Sequence, residues 1–162
     1  MDAFITWVQA TSLSHFIVFQ IWVWPLCETL HFVGLALVIG LVGFFDLRLM
    51  GFYRRIPIDA VRELMPFAIA GFLTNLVTGV IFLIGHPEQY LHSWVWWMKV
   101  LFLAVAGLNA FVFELTVGKR LGLIKTGDDT PIGAKLIGAV SLVSWLGVLY
   151  WGRMLPFIGQ AF

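Results

Sequence analysis

The run PLCETLHFVGLALVIGLVGFF, from Pro25 to Phe45, decides how this chain is read. It stays apolar long enough to cross a hydrocarbon core, which takes roughly 20 helical residues, yet it carries Glu28 and His31 near its start. Ionisable groups are expensive at membrane depth, so both are expected to turn toward a bundle interior or a bound group and away from lipid. Their spacing of three puts them on one side of a helix.

Composition extends this reading to the whole chain. Of 162 residues, 60% are hydrophobic, 16% aromatic and only 12% charged, far more apolar surface than a water-soluble domain of this length needs. Four apolar stretches, about 25–49, 66–85, 94–117 and 133–155, are each long enough to span a bilayer. The expected fold is all-α: a polytopic membrane protein built as a four-transmembrane-helix bundle, forming one integral membrane domain over 1–162. No room is left for a large catalytic domain. The intervening segments collect most of the charge together with Pro57, Pro87, Gly122, Gly127 and the Asp128–Asp129 pair, which marks them as loops. Pro57 and Pro66 bracket a short surface helix at Ile58 to Leu64.

Residues 1–24 require a break. A single helix from Phe16 to Met50 would run about 52 Å, well beyond a core of about 30 Å. Pro25 is tolerated in a first helical turn, so the preceding segment is predicted as an interfacial N-terminal helix, with Trp7, Trp22 and Trp24 at headgroup depth. The first ten residues hold no Lys or Arg, and no cleaved signal peptide is expected. The single cysteine, Cys27, cannot form an internal disulfide. A net charge of +1 gives no reason to expect a nucleic-acid partner.

The cations are distributed unevenly. Arg48, Arg54, Arg55 and Arg62 flank the first loop, and Lys119, Arg120, Lys125 and Lys135 the third. By the positive-inside rule these loops face the cytoplasm, which puts both termini and the His86 to Ser93 loop on the periplasmic side of a bacterial inner membrane. Depth then sorts the polar residues. Glu28 and His31 lie about 5 and 9 Å below the outer end of the first span, and Lys99 lies about 8 Å below Trp94, while His86 and Arg153 cap the second and fourth spans. These five are expected to meet in the outer leaflet. An inner group holds Asp46, Arg48 and Glu114, with Thr74, Asn75, Thr78 and Asn109 in between.

The residues Trp24, Pro25, Glu28, His31, Gly34, Gly40, Asp46, Leu47, Arg48 and Gly51 resemble the opening pattern of a family of small four-helix bacterial inner-membrane proteins that has no agreed function and is distantly similar to copper-resistance-type membrane domains. Pro66, Phe67, Gly71, Thr78, Gly79, Pro87, Tyr90, Lys99, Asn109, Gly152 and Arg153 continue the resemblance, which covers roughly Trp24 to Arg153. It implies topology and membership, not an activity. Where similar proteins carry a histidine near the end of the third span, this chain has Glu114.

Three chemistries suit the outer cluster. In the first, haem b takes His31 as an axial ligand and His86 as the second, Lys99 and Arg153 neutralise the propionates, and Glu28 or Asn75 orients an imidazole. In the second, His31 and Lys99 bind the carbonyl oxygens of a quinone while Glu28 exchanges protons with the outer phase. The third is copper handling by His86, His92, Met98 and Met154. The expected activity is electron transfer at the outer side through haem b or quinone. The alternatives are metal or small-molecule transport or sensing, and a non-catalytic subunit of a larger respiratory or transport complex or homo-oligomer. No nucleotide-binding glycine loop, activated serine or cysteine cluster is present in the sequence.

Small residues four apart, Ala36 with Gly40, Ala106 with Ala110 and Ala134 with Gly138, predict close helix approach.

Overall fold

The computed structural model describes residues 1–158, apart from the side chains of Arg120 and Leu123. Arg120, one of the cations that set the expected orientation, therefore lies outside the described side chains. The helices run α1 Asp2–Gln9, α2 Ser12–Phe19, α3 Val23–Leu49, α4 Ile58–Arg62, α5 Met65–Gly85, α6 Pro87–Leu91, α7 Trp94–Leu115 and α8 Ile132–Ile158, with a 3-10 turn at Gly118–Leu123. Helices α3, α5, α7 and α8 are long and apolar enough to cross a membrane. The fold is thus an all-α membrane bundle of four long helices. Pro25 sits in the first turn of α3, where the missing N–H removes no helical bond. Gly51 adopts φ +96°, a left-handed conformation that favours glycine, and ends that helix.

Helix α3 is central. It packs on α5 along one side and on α8 along another, and α7 packs on α8. Helices α5 and α7 flank the remaining side without close packing among the described residues. The α3–α5 crossing is a backbone contact: a Cβ on Gly34 would stand 2.7 Å from the Gly71 carbonyl oxygen, and one on Gly71 would stand 2.8 Å from that of Gly34. The α3–α8 crossing has the same character, since a Cβ on Gly138 would come within 2.8 Å of the Asp46 carbonyl oxygen. Without a hydrophobic force between helices in lipid, such close approach is a main source of association. Ala134 and Gly138 serve as the sequence spacing predicts. Ala36 and Gly40 do not: both are exposed, and a Cβ on Gly40 would meet nothing within 4 Å.

The N-terminal segment forms two helices folded onto one end of the bundle. Thr11 caps α2 by accepting from the Ser14 N–H at 3.2 Å. Ser14 Oγ donates to the Ile84 carbonyl of α5 at 3.0 Å, and Ile17 lies against Gly85. At the opposite end the two basic loops are stitched together. Asp129 pairs with Arg54 at 3.1 Å and Lys135 at 2.8 Å, and the Gly127 N–H donates to the Arg54 carbonyl at 2.9 Å. Arg48, 0% exposed, donates from Nε to the Ile56 carbonyl at 2.9 Å and from Nη1 to Thr130 Oγ1 at 3.4 Å.

Gly71→Ala is expected to lower stability by about 1–3 kcal/mol, because the new methyl group meets rigid backbone, whereas Gly40→Ala leaves it unchanged or raised; reversible unfolding in mixed micelles measures both. The loop clasp gives a pH signature. A hydrogen bond from Lys135, followed by the Thr130 N–H and the Arg54 charge, holds the Asp129 carboxyl below the usual range. Its contribution is therefore present above the ordinary Asp value of about 3.9 and is lost as pH falls through the lower folded value. Thermal melting of Asp129→Asn should drop less between neutral and acid pH than that of the parent.

Candidate functional site

The outer polar residues are sorted by the rotation of each helix as much as by depth. His31 is half-buried on the α3 face that meets α5, and its Nδ1 lies 2.7 Å from Thr78 Oγ1. The Thr78 hydroxyl also stands 2.8 Å from the Thr74 carbonyl one turn back. With the hydroxyl proton on that carbonyl, the Thr78 oxygen accepts from His31 Nδ1–H. This network assigns the Nδ1–H tautomer, which leaves the Nε2 lone pair without a partner among the described residues. Asn75 reinforces the register: in the orientation its neighbours require, its amide donates to the His31 carbonyl at 2.7 Å and accepts from the Leu35 N–H at 3.0 Å. Phe82 packs against the imidazole with ring centroids 5.6 Å apart.

Lys99, on α7, lies within electrostatic reach of His31 and beside Gly152 of α8. It has no ion-pair or hydrogen-bond partner among the described residues. Glu28 is exposed on α3, and no hydrogen bond joins it to His31 among the described residues. Its carboxylate influences Tyr90 of α6 instead. Burial first, and Glu28 second, push the Tyr90 hydroxyl up to about 12.

Two expected members stand apart. His86 terminates α5, eight residues beyond Thr78, which places it about 12 Å along the axis from the level of His31. Trp24 packs on both Phe82, at 4.8 Å, and His86, at 5.0 Å, so aromatic rings fill the space between the two histidines. The structure does not bring His31 and His86 together as axial ligands of one iron, which would have to face each other across it. Arg153 is exposed and lies over the Phe157 ring, 4.9 Å from its centroid, turned away from the side of α8 on which Gly152 meets Lys99. Among the described residues there is no group of three or more His, Cys, Asp or Glu side chains that could hold a metal ion. His92 faces Asp2 at 3.4 Å.

A second site was not singled out by the sequence reading. In the half of the bundle toward the basic loops, α3, α5, α7 and α8 enclose a cavity of about 330 Å³. Its walls are apolar except for Asp46, Ser141, Asn109 and, at the loop end, Arg62 and Glu114, which pair at 3.5 Å. Asp46 is 2% exposed and its Oδ2 has no hydrogen-bond partner. The signal in the sequence was an acid within an apolar run, the same one that drew attention to Glu28. The neighbour of Asp46 in the inner group, Arg48, points into the loops.

Comparison with known proteins finds no family model that matches the chain, and no curated protein or solved structure similar to it.

The tautomer can be checked directly. Nitrogen-15 NMR of imidazole-labelled protein should show His31 protonated at Nδ1 with a bare Nε2. Thr78→Val should abolish that preference and lower stability by about 0.6 kcal/mol, and by no more than about 1.7, the range found for interhelical hydrogen bonds in membranes.

Proposed function

We propose that this is a multi-pass protein of a bacterial inner membrane, with its termini on the periplasmic side, that binds a quinone head group at His31 and Lys99 and exchanges electrons with an outer-side partner. The support is one juxtaposition. An imidazole hydrogen-bonded to Thr78 lies within electrostatic reach of a lysine amine that has no carboxylate partner among the described residues. Oxidation of a quinol releases two protons and two electrons: Nε2 accepts one hydroxyl proton, the second oxygen gives its proton to water, and the Lys99 amine donates a hydrogen bond to the quinone oxygen so formed. Glu28, exposed near the end of α3, then carries the released proton toward the aqueous phase. The electrons leave to the partner. The separation of His31 from His86 favours quinone over a bis-imidazole haem for this role. The excess of Lys and Arg in the loops after α3 and α7 supports the orientation, and the resemblance to the small inner-membrane family is compatible with it.

Protein purified in mild detergent should retain quinone that organic extraction and chromatography detect. His31→Gln and Lys99→Ala should each weaken binding of an added short-chain quinone at least about tenfold, equivalent to about 1.4 kcal/mol, with melting close to that of the parent. A b-type α-band after dithionite reduction would replace quinone with haem. Failure to bind quinone, with the variants changing stability alone, would leave a non-catalytic subunit.

A further inference from the structure

The cavity beside Asp46 carries chemistry that the His31 site does not use. We propose that it binds a lipid-soluble organic cation, an ammonium or pyridinium carried on an aromatic or aliphatic body, which enters from the bilayer between α5 and α7.

Three observations converge on this class. The first is the carboxylate: Asp46 lines the cavity, is almost wholly buried, and keeps Oδ2 without a donor. A buried acceptor left unsatisfied is unfavourable, and a buried carboxylate more so, unless a donor or cation meets it. The nearby protein cations make no ion pair with Asp46, although Arg48 Nη2 is itself buried without a partner. Arg48 turns to Ile56 and Thr130, and Arg62 pairs with Glu114 and donates to the Gly118 carbonyl at 3.2 Å.

The second observation is the aromatic lining. Phe45 and Phe113 meet edge to face at 5.5 Å, Phe72 and Trp145 do so at 6.1 Å, and all four border the cavity. Aromatic rings near a carboxylate that has no ion-pair partner suit an organic cation, attracted by ring quadrupole and carboxylate together. They do not suit an inorganic one. Hard cations require 6 or more oxygen ligands, and beside Asp46 the lining offers only the Ser141 hydroxyl and the Asn109 amide, whose nitrogen already donates to the Ile137 carbonyl at 3.1 Å.

The third observation is access. Helices α5 and α7 do not pack closely, and along the opening Gly107 is exposed, with nothing within 4 Å of where its Cβ would stand. A volume of about 330 Å³ lies at the small end of the ligand-site range, enough for one or two rings and their substituents.

The probe is dimethylaminostyryl-N-methylpyridinium, a slim fluorescent organic cation, compared with its uncharged dimethylaminostyrylpyridine parent at alkaline pH. In phosphatidylcholine nanodiscs containing the full chain, the cation should give a saturable fluorescence increase absent from empty discs. The uncharged parent should bind at least about tenfold more weakly. Asp46→Asn should weaken the cation at least about tenfold and leave the parent unchanged. Gly107→Leu, which places bulk at the opening without clashing with the bundle, should block both while preserving melting, and so keeps the test decisive if Asp46→Asn folds poorly. Asp59→Asn, an exposed acid outside the cavity, and His31→Gln should bind as the parent protein does. Absence of saturable binding, or binding indifferent to both Asp46→Asn and Gly107→Leu, overturns the proposal and leaves a cavity that holds only water or lipid tails. Failure of quinone binding at His31 bears on neither result.

Discussion

Backbone-to-backbone contact at Gly34 and Gly71 is the constraint on which the outer site depends. Because neither residue carries a Cβ, α3 and α5 approach closely enough for Asn75 to reach the α3 backbone and for Thr78 to reach the His31 ring. A methyl group at either glycine would push the helices apart and lengthen those hydrogen bonds together. The crossing at Gly138 performs the equivalent task on the opposite flank of α3, where it sets the wall of the Asp46 cavity. Both sites are consequences of how tightly one helix is gripped.

Polar groups within the bundle fall into two kinds, and the difference carries the functional argument. Thr78, Asn75, Asn109 and Ser144 each bond to backbone, and Thr78 to the His31 ring as well, as membrane helices require of any buried donor or acceptor. Asp46 Oδ2 and the His31 Nε2 are left over within the spans, as are Arg48 Nη2 and Ser93 Oγ nearer the two ends. What sets Asp46 and His31 apart is their place: Asp46 lines the cavity and His31 faces the helix that carries Thr78, so each stands where an exogenous group could complete its bonding. The loops show the contrast, for Asp129 is surrounded by Lys135, Arg54 and the Thr130 N–H, and acts as a clasp.

Span by span, the fold was legible in the sequence, because runs of some twenty apolar residues between charged, glycine- and proline-bearing loops have few alternatives in lipid. The expected ends of the spans lie within a few residues of α3, α5, α7 and α8, and α4 falls where Pro57 and Pro66 bracket it. What the sequence could not supply was rotation. Depth follows from a rise of about 1.5 Å per residue, but each residue also turns the helix by about 100°. Glu28 and His31 share a side only to within about 60°, enough for His31 to face α5 while Glu28 faces outward. Gly152 meets Lys99, and Arg153, one step on, does not. His86 failed on depth as well, since the level of its intended partner is fixed by Thr78 and not by the end of α5. The choice of Gly34 and Gly71 over Ala36 and Gly40 also depends on which face of α3 is turned inward. The cavity was the least legible feature, being a space left by four helices and not a property of any one of them.

The loose α5–α7 side explains why the sites differ in what can reach them. A fully closed bundle would bury Asp46 beyond reach and force it to be neutralised by the protein itself. With α3 and α8 in firm contact and α7 held mainly through α8, the cavity opens between α5 and α7, so a ligand of the proposed class would partition into lipid before it met the carboxylate. The His31 site lies nearer the end covered by α1, α2 and α6, where Tyr90 and Glu28 influence each other. One arrangement of four helices thus separates two polar environments along a single axis. Phe72 and Trp145, in edge-to-face contact between α5 and α8, border the cavity of the inner one. On the two proposed readings, a charged ligand at Asp46 and a proton released at His31 would have aromatic rings on the path between them, and each chemistry would communicate with its own side of the bundle.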